Sequence, residues 1–562
     1  LKHPVKEAVI FMQKVALNFP SGKTAQLAFG HTLYQFAEDE EWQGRQVIAF
    51  FLNSQALSLH RPVLTGGLLQ PIYADNAISP KAYLRSLNFL AQYSIKKLYP
   101  QVRFVIGQNI GDTYFYRCAE NAAALPCGYT EKVAAHMREV AGQAIAVLYS
   151  FMSYSEAVDY FKRAGQAYTA SLLEYSNEEH VGVYQLDGVY SLDCGVQLPN
   201  TAPLKNFELI DAENGFFLRY PTLGFELAPA RKECPLLFSV YKEYQGWVGI
   251  LGSACVGHIN AQIQTRKGIQ NLINMAEGLH EKKITAIADQ ITGGSEICFV
   301  FIAGPSSSGK TTFTKKLALQ LRINGFEAVA LSLDNFYNTP DMTPLDEEGR
   351  KDFEHIEALD LELLNTTLNS LLAGDEVELP RYVFKTQSRI FDGTKIAIGK
   401  KTVVLIEGLH ALNERLSAVV PEANKFKIYI SALTQLNLDE QHRLSTTDNR
   451  FIRRLVRDGQ FRGASAAYTF RLWDSVQRGE ERWVFPYQET ADAAFNSSLD
   501  YELAVLKPYA EPLLKEIKAD TPCYAQASRL LKYLGYFTAV SSEYVPSYSI
   551  LREFIGNSGY KY

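Results

Sequence analysis

The 562-residue sequence predicts an α/β chain: a doubly wound parallel sheet in the C-terminal half, preceded by a small β-rich module and an α+β domain. Three observations predict it. The apolar runs "ICFVFIAG" (297–304), "EAVALSLD" (327–334), "TVVLIEG" (402–408) and "FKIYISA" (426–432) read as strands buried on both faces. Helical patterns separate them, as in a parallel sheet covered by its own crossovers. "TGGSE" (292–296) divides this text from the mixed segments upstream and reads as a linker.

Taken in order, residues 8–72 alternate short β-like runs with turns. Pro-Ser-Gly within "AVIFMQKVALNFPSGKTAQLAFG" marks a hairpin. "GHTLYQFAE" reads as a helix start capped by Thr32, and "VIAFFLNSQALSL" supplies further strands. The pattern fits a β-grasp-like module over 1–72. Residues 73–291 read as α+β. "PKAYLRSLNFLAQYSIKKLY" and "EKVAAHMREVAGQAIAVLY" look helical, "FFLRYPTL" and "PLLFSVYKEY" strand-like, and 268–291 forms one or two connecting helices. Residues 292–562 form the last domain. Its first helix carries Phe313, Leu317 and Leu321 at i, i+4, i+8, and "SYSILREFIG" near the end packs as a short helix.

Length implies about three or four domains. Apolar residues at 47% and charged residues at 21% are the balance of an ordinary globular protein, and a net charge of −5 disfavours a large basic face for nucleic acid. No apolar run approaches the roughly 20 residues that span a bilayer. The opening "LKHPVKEAVIFMQKV" lacks a signal peptide's apolar centre, and seven scattered cysteines form no CxxC pair. These features predict reduced thiols, a cytoplasmic location and no membrane partner. Neither HExxH nor HxxxH occurs, so no protein-held zinc is expected.

Gly304-Pro305-Ser306-Ser307-Ser308-Gly309-Lys310-Thr311 matches GxxxxGK[ST] in full, between a buried strand and an amphipathic helix. Glycines let backbone N–H groups turn inward around phosphates, and the helix N-terminus adds partial positive charge. Lys310 would reach the β/γ-phosphates and the Thr311 hydroxyl would ligate Mg²⁺. ATP and Mg²⁺ are the cofactors expected. An Asn-Lys-x-Asp segment, which a regulatory GTPase carries, is missing. A small-molecule kinase needs a carboxylate near the γ-phosphate to receive the acceptor's proton. Asp334, in "LSLDNFYN" (331–338), closes the second apolar run, where strand C-termini line the ligand crevice. Read alone, it serves equally as a turn cap with Asn335. Glu407 ends another run and is placed to hold Mg²⁺. "RFIRRLVRDGQFRG" sets Arg450, Arg453, Arg454 and Arg457 at i, i+3, i+4, i+7, a stripe suited to phosphate charge and, out of context, equally to RNA or solvent.

In order and kind, "GPSSSGKTT", "DNFY", "PRYVFKTQSR", "VVLIEGLH" and "RRLVRD" resemble the uridine kinase/phosphoribulokinase family of P-loop kinases. The resemblance implies Asp334 as general base, with Lys310 and Thr311 on Mg-ATP and Thr312 extending the loop's contacts. Arg453, Arg454 and Arg457 become lid residues. It also implies an acceptor pocket from Tyr337, Glu354, Tyr382, Phe384, Gln387 and Arg389. That pocket departs from the uridine pattern: the family's Asp and His become Val383 and Gln387, and Glu354 stands for its ribose-contacting Asp. A nucleoside acceptor is expected, with another hydroxylated metabolite (a sugar phosphate, or one like pantothenate) as the neighbouring alternative. Upstream, residues 8–72 resemble a TGS domain. Residues 73–262 resemble the editing domain of threonyl-tRNA synthetases through "LRSLNFLAQYSIKKLYPQVRFVIGQNIGDTYFYR" and "LDCGVQLPN". The editing histidines fall on Arg85 and Phe89, and on Gln197 or Leu198, so deacylation is not expected there. A tRNA-responsive ATP switch is the alternative from a different class, and a homo-oligomer is expected.

Overall fold

In the computed structural model, residues 13–119, 125–221, 224–228, 233–294, 296–383 and 385–561 are described. They fall into two units. The first holds the described residues up to Glu233 together with 437–443 and 517–532; the second holds 234–436, 444–516 and the remainder from Tyr533.

The first unit begins with a five-stranded mixed sheet. Lys14–Asn18 and Thr24–Ala28 form the hairpin expected around Pro-Ser-Gly, with Gly22 at φ +90° in its turn. Lys14–Asn18 also runs parallel to Gly67–Tyr73, which pairs antiparallel with Val47–Leu52, and Gln55–Ser58 completes the order. Leu17, Phe19, Leu33, Trp42, Phe50 and Leu69 fill its core. "GHTLYQFAE" makes only a 3-10 turn, Tyr34–Phe36. Thr32 does not cap it: Leu33 takes the N-cap position, and Thr32, one residue back, bridges to Pro62.

The α+β part carries two antiparallel sheets. One runs Glu208–Ala212, Gly215–Arg219, Thr113–Cys118, Phe104–Ile110; the other runs Val189–Leu192, His180–Leu186, Leu148–Ser153. Helices Ser79–Leu98 and Tyr129–Gly142 contribute to their shared core. The second predicted helix stops short: past Gly142 the chain turns through Ala144 at φ +52°, and its apolar tail enters the strand Leu148–Ser153. The 437–443 loop is pinned within this unit. Glu440 caps the N–H groups of Tyr168 and Thr169, and Asn437 and Arg443 donate to the carbonyls of Ile106 and Gly107. Cys194, Asp439 and His442 are buried together there, and Asp439 holds His442 Nδ1 at 2.8 Å while accepting from the N–H groups of Gln441 and His442. This is a loop-closing pair at i, i+3.

The second unit is built on the predicted sheet. Five parallel strands lie in the order Glu327–Ser332, Thr402–Glu407, Phe299–Ala303, Lys425–Ser431, Ala493–Asn496. Every residue of Phe299–Ala303 is buried, as a strand covered on both faces must be. Phe313, Leu317 and Leu321 of helix Lys310–Ile323 are fully buried. The division between units falls at Cys234, not at "TGGSE". "PLLFSVYKEY" is part of a helix, Pro235–Leu251, whose buried Leu237, Val240, Tyr241 and Tyr244 have helical, not alternating, spacing. After the short helix Val256–Gln262, residues 268–291 lie in a single helix, Arg266–Gly293, which joins this unit because it buries Leu272, Ile273, Ile284 and Ile287 and sets Glu277 and His280 against Tyr501 and the Ser498 carbonyl. Among the described residues no helix is long and apolar enough to cross a membrane, and the seven cysteines form no disulfide.

Candidate active site

The GxxxxGK[ST] segment leaves the central strand and enters helix Lys310–Ile323 as a tight loop. At Gly304 an added Cβ would lie 2.0 Å from the Ile430 carbonyl, and Gly309 sits at φ +84°, so both positions require glycine. Ser307 shares the left-handed region at φ +60°. The buried hydroxyls of Ser307 and Ser308 find no hydrogen-bond partner, and solvent reaches the loop through a cavity of about 780 Å³. Unused polar groups at the mouth of a helix N-terminus suit an anion.

The arginine stripe lies on helix Thr446–Phe461, as its spacing predicts, but it divides in two. Arg450 and Arg453 turn behind the loop. Arg450 pairs with buried Glu480 and donates to the Ser306 carbonyl at 2.9 Å, while Glu480 accepts from the Ser306 N–H. Arg453 pairs with buried Glu502 and donates to the Ser307 and Ser497 carbonyls. Arg453, expected on the phosphates, is therefore a strut of the loop and does not line the cavity. Arg454 and Arg457 do line it, joined by Arg462, and Asp458 stands between Arg454 and Arg462 at 3.2 Å from each.

Asp334 lies in a 3-10 turn, Leu333–Phe336, just past its strand, with Ser332 capping the turn. Its carboxyl opens onto the cavity and is enclosed by protein elsewhere, which raises its pKa against the pull of Lys310, Arg462 and Arg457. Glu407, at the neighbouring strand end, accepts from the Ser332 hydroxyl at 3.1 Å; burial and then Asp334 push it up to about 7. Glu354 is also pushed up to about 7, by burial and then Glu480. Lys310 donates to the Gly304 and Pro305 carbonyls, and burial lowers its pKa against the attraction of Glu407, Asp334 and Glu553. Thr311, Glu407 and Asp334 offer hard oxygen donors, a set that fits Mg²⁺, and two carboxylates crowded together gain from a divalent cation between them.

Part of the lining is aromatic. Tyr337, Phe353 and Tyr382 line the cavity, with ring centroids 5.8 Å apart for Tyr337–Tyr382 and 6.5 Å for Tyr337–Phe353. Gln387 and Glu354 join them. Arg389 does not: it pairs with Asp360, the cap of helix Leu361–Ala373, at 2.8 Å. Phe384 lies outside the described residues. Gly304 and Thr312 are off the cavity wall, whereas Ser306, Ser307, Ser308, Gly309, Lys310 and Thr311 form it. Sequence reasoning missed Phe353, Arg462 and Glu553. Arg462 falls outside the i, i+3, i+4, i+7 stripe, and no local pattern marks Glu553, which arrives from the chain's last segment.

The family model described as "Phosphoribulokinase / Uridine kinase family" matches residues 299–504. A uridine kinase from Deinococcus deserti is 31% identical over 173 residues, 31% of this chain and 74% of that one. One from Staphylococcus aureus is 30% identical over 192 residues, 34% of this chain and 83% of that one. A solved structure titled as a possible uridine kinase from Bacillus stearothermophilus covers 38% of this chain and 97% of its own at 18% identity, with a TM-score of 0.27. On its sequence relatives, and with a loop, two strand-end carboxylates and an arginine face gathered on one cavity, the chain belongs through this region to the phosphoribulokinase/uridine kinase family.

Proposed function

We propose that the chain transfers the γ-phosphoryl group of ATP to a hydroxyl of a nucleoside. The observation that carries this is the cavity's mixed lining: Lys310 with Arg454, Arg457 and Arg462, the rings of Tyr337, Phe353 and Tyr382, and Asp334 close enough to feel both Lys310 and Tyr337. Asp334 accepts the proton of the acceptor hydroxyl as that oxygen bonds to the γ-phosphorus and the bond to the β-bridging oxygen breaks, releasing ADP. Its raised pKa brings it nearer the working range of a base at neutral pH. Arg454, Arg457 and Arg462 meet the charge that spreads over the transferred group. Thr311 and Glu407 would hold Mg²⁺, which neutralises charge on the donor's phosphates. Tyr337, Phe353 and Tyr382 offer ring faces to a base or sugar, and Glu354 and Gln387 offer polar contacts.

The first unit is read as a β-grasp-like, TGS-like module followed by an editing-like domain that has lost its chemistry. Arg85 supports this: its guanidinium packs on Gly195 and donates to the Val196 carbonyl, and Phe89 is buried, so neither position offers an imidazole. A cytoplasmic location and homo-oligomerisation belong to the same reading. The test is a panel of nucleosides and hydroxylated metabolites incubated with γ-labelled ATP. Label should appear in a nucleoside monophosphate; label released only as free phosphate, with stimulation by tRNA, would replace this reading by a switch.

A further inference from the structure

The chain's last segment is anchored against the phosphate loop. Ser549, Ile550, Leu551 and Phe554 are fully buried. Ile550 packs so closely on Gly309 that a Cβ there would lie 2.5 Å from its Cγ2. The Phe554 ring lies 5.1 Å from the Arg453 guanidinium, and Arg552 ties the segment to itself through the Ser542 and Val545 carbonyls. This segment lies beyond the 299–504 family match. It delivers one charged group to the cavity, Glu553.

Glu553 sits where an anion is expected. Its Oε2 accepts from the Thr312 hydroxyl at 2.7 Å and the Thr312 N–H at 3.4 Å, and its Oε1 lies 3.7 Å from Arg457 Nη1. Thr312 is the third residue of its helix, in the first turn at the helix N-terminus, and it follows Lys310 and Thr311, the positions that in a phosphate loop reach the β/γ-phosphates and the metal. The carboxylate therefore takes donors that a nucleotide's inner phosphates use.

We propose that Glu553 is an internal occupant of the inner-phosphate seat, which a nucleoside triphosphate must displace, so that the C-terminal segment sets the protein's affinity for its donor. This rests on reading the cavity as an ATP site. A carboxylate left in place would face a phosphate across one hydrogen-bond donor, and like charges so placed repel strongly. Once Glu553 is displaced, the Thr312 and Arg457 groups that it contacts can turn to the nucleotide. Occupancy of the seat by the segment and by the nucleotide is mutually exclusive.

ATP binding to the full-length protein, measured by titration calorimetry without acceptor, tests this independently of phosphoryl transfer. Glu553→Gln keeps the shape and a hydrogen-bonding group, and Glu553→Ala removes both. Each should tighten ATP binding by roughly tenfold, while Glu553→Asp stays near the wild type. Unfolding midpoints identify any variant that has lost its fold. Unchanged or weaker ATP binding in folded Glu553→Gln overturns the proposal, as does the absence of ATP binding in all forms. Tightened binding without transfer to any acceptor would uphold it while sinking the nucleoside-kinase reading.

Discussion

Burial holds the Glu407 and Glu354 carboxyls above the ordinary glutamate range. Both are pushed up to about 7, against a usual value of 4.5. Between those values the folded protein keeps a proton at Glu407 that the unfolded chain has released. Stability from this group is therefore full below the unfolded value and is lost as pH rises through the folded one. Thermal unfolding followed across pH 4.5–7.5 should show that decline in the metal-free protein, and Glu407→Gln should flatten it. An identical pH profile in the variant would contradict the assignment. Asp334 rises for the same reason, burial, although three cations oppose it. The turn is capped by Ser332, not by Asp334, whose carboxyl is left to face the cavity.

At the scale of elements, the arginine helix serves two purposes that its periodicity cannot separate. Arg450 and Arg453 are fully buried on Glu480 and Glu502, whereas Arg457 lies at the cavity, lowered to about 10 by burial and by Arg462. Arg453→Ala leaves Glu502 buried without its partner and should cost about 3–5 kcal/mol in denaturant unfolding. Arg457→Ala removes a crowded cation and should change stability by less than about 1 kcal/mol while lowering kcat. Equal stability losses in the two variants would refute the division. A stripe at i, i+3, i+4, i+7 was legible in the sequence. Which of its members face inward depends on carboxylates 30 and 49 residues further along the chain. The loop, Asp334 and Glu407 were legible because each is a local pattern tied to a strand end. Arg389 was misread for want of its partner, Asp360, and Glu553 because its contact with Thr312 spans 241 residues.

At the scale of the whole molecule, the parallel sheet was readable from four apolar runs, while the boundary of its unit was not. Glycine-rich "TGGSE" looks like a linker, yet the helix before it buries its apolar face within the kinase-like unit. A fragment beginning at Thr292 should therefore unfold at a lower temperature than one beginning at Cys234. Equal midpoints would show that the helices from Pro235 to Gly293 add nothing to that unit. We propose that one cavity binds ATP and moves its phosphoryl group through Asp334. The most direct measurement pairs ATP affinity with transfer rate in Asp334→Asn. The variant should bind ATP within about threefold of the wild type and lose transfer to the acceptor by roughly 10²–10⁴-fold. Near-normal turnover in Asp334→Asn would contradict the claim.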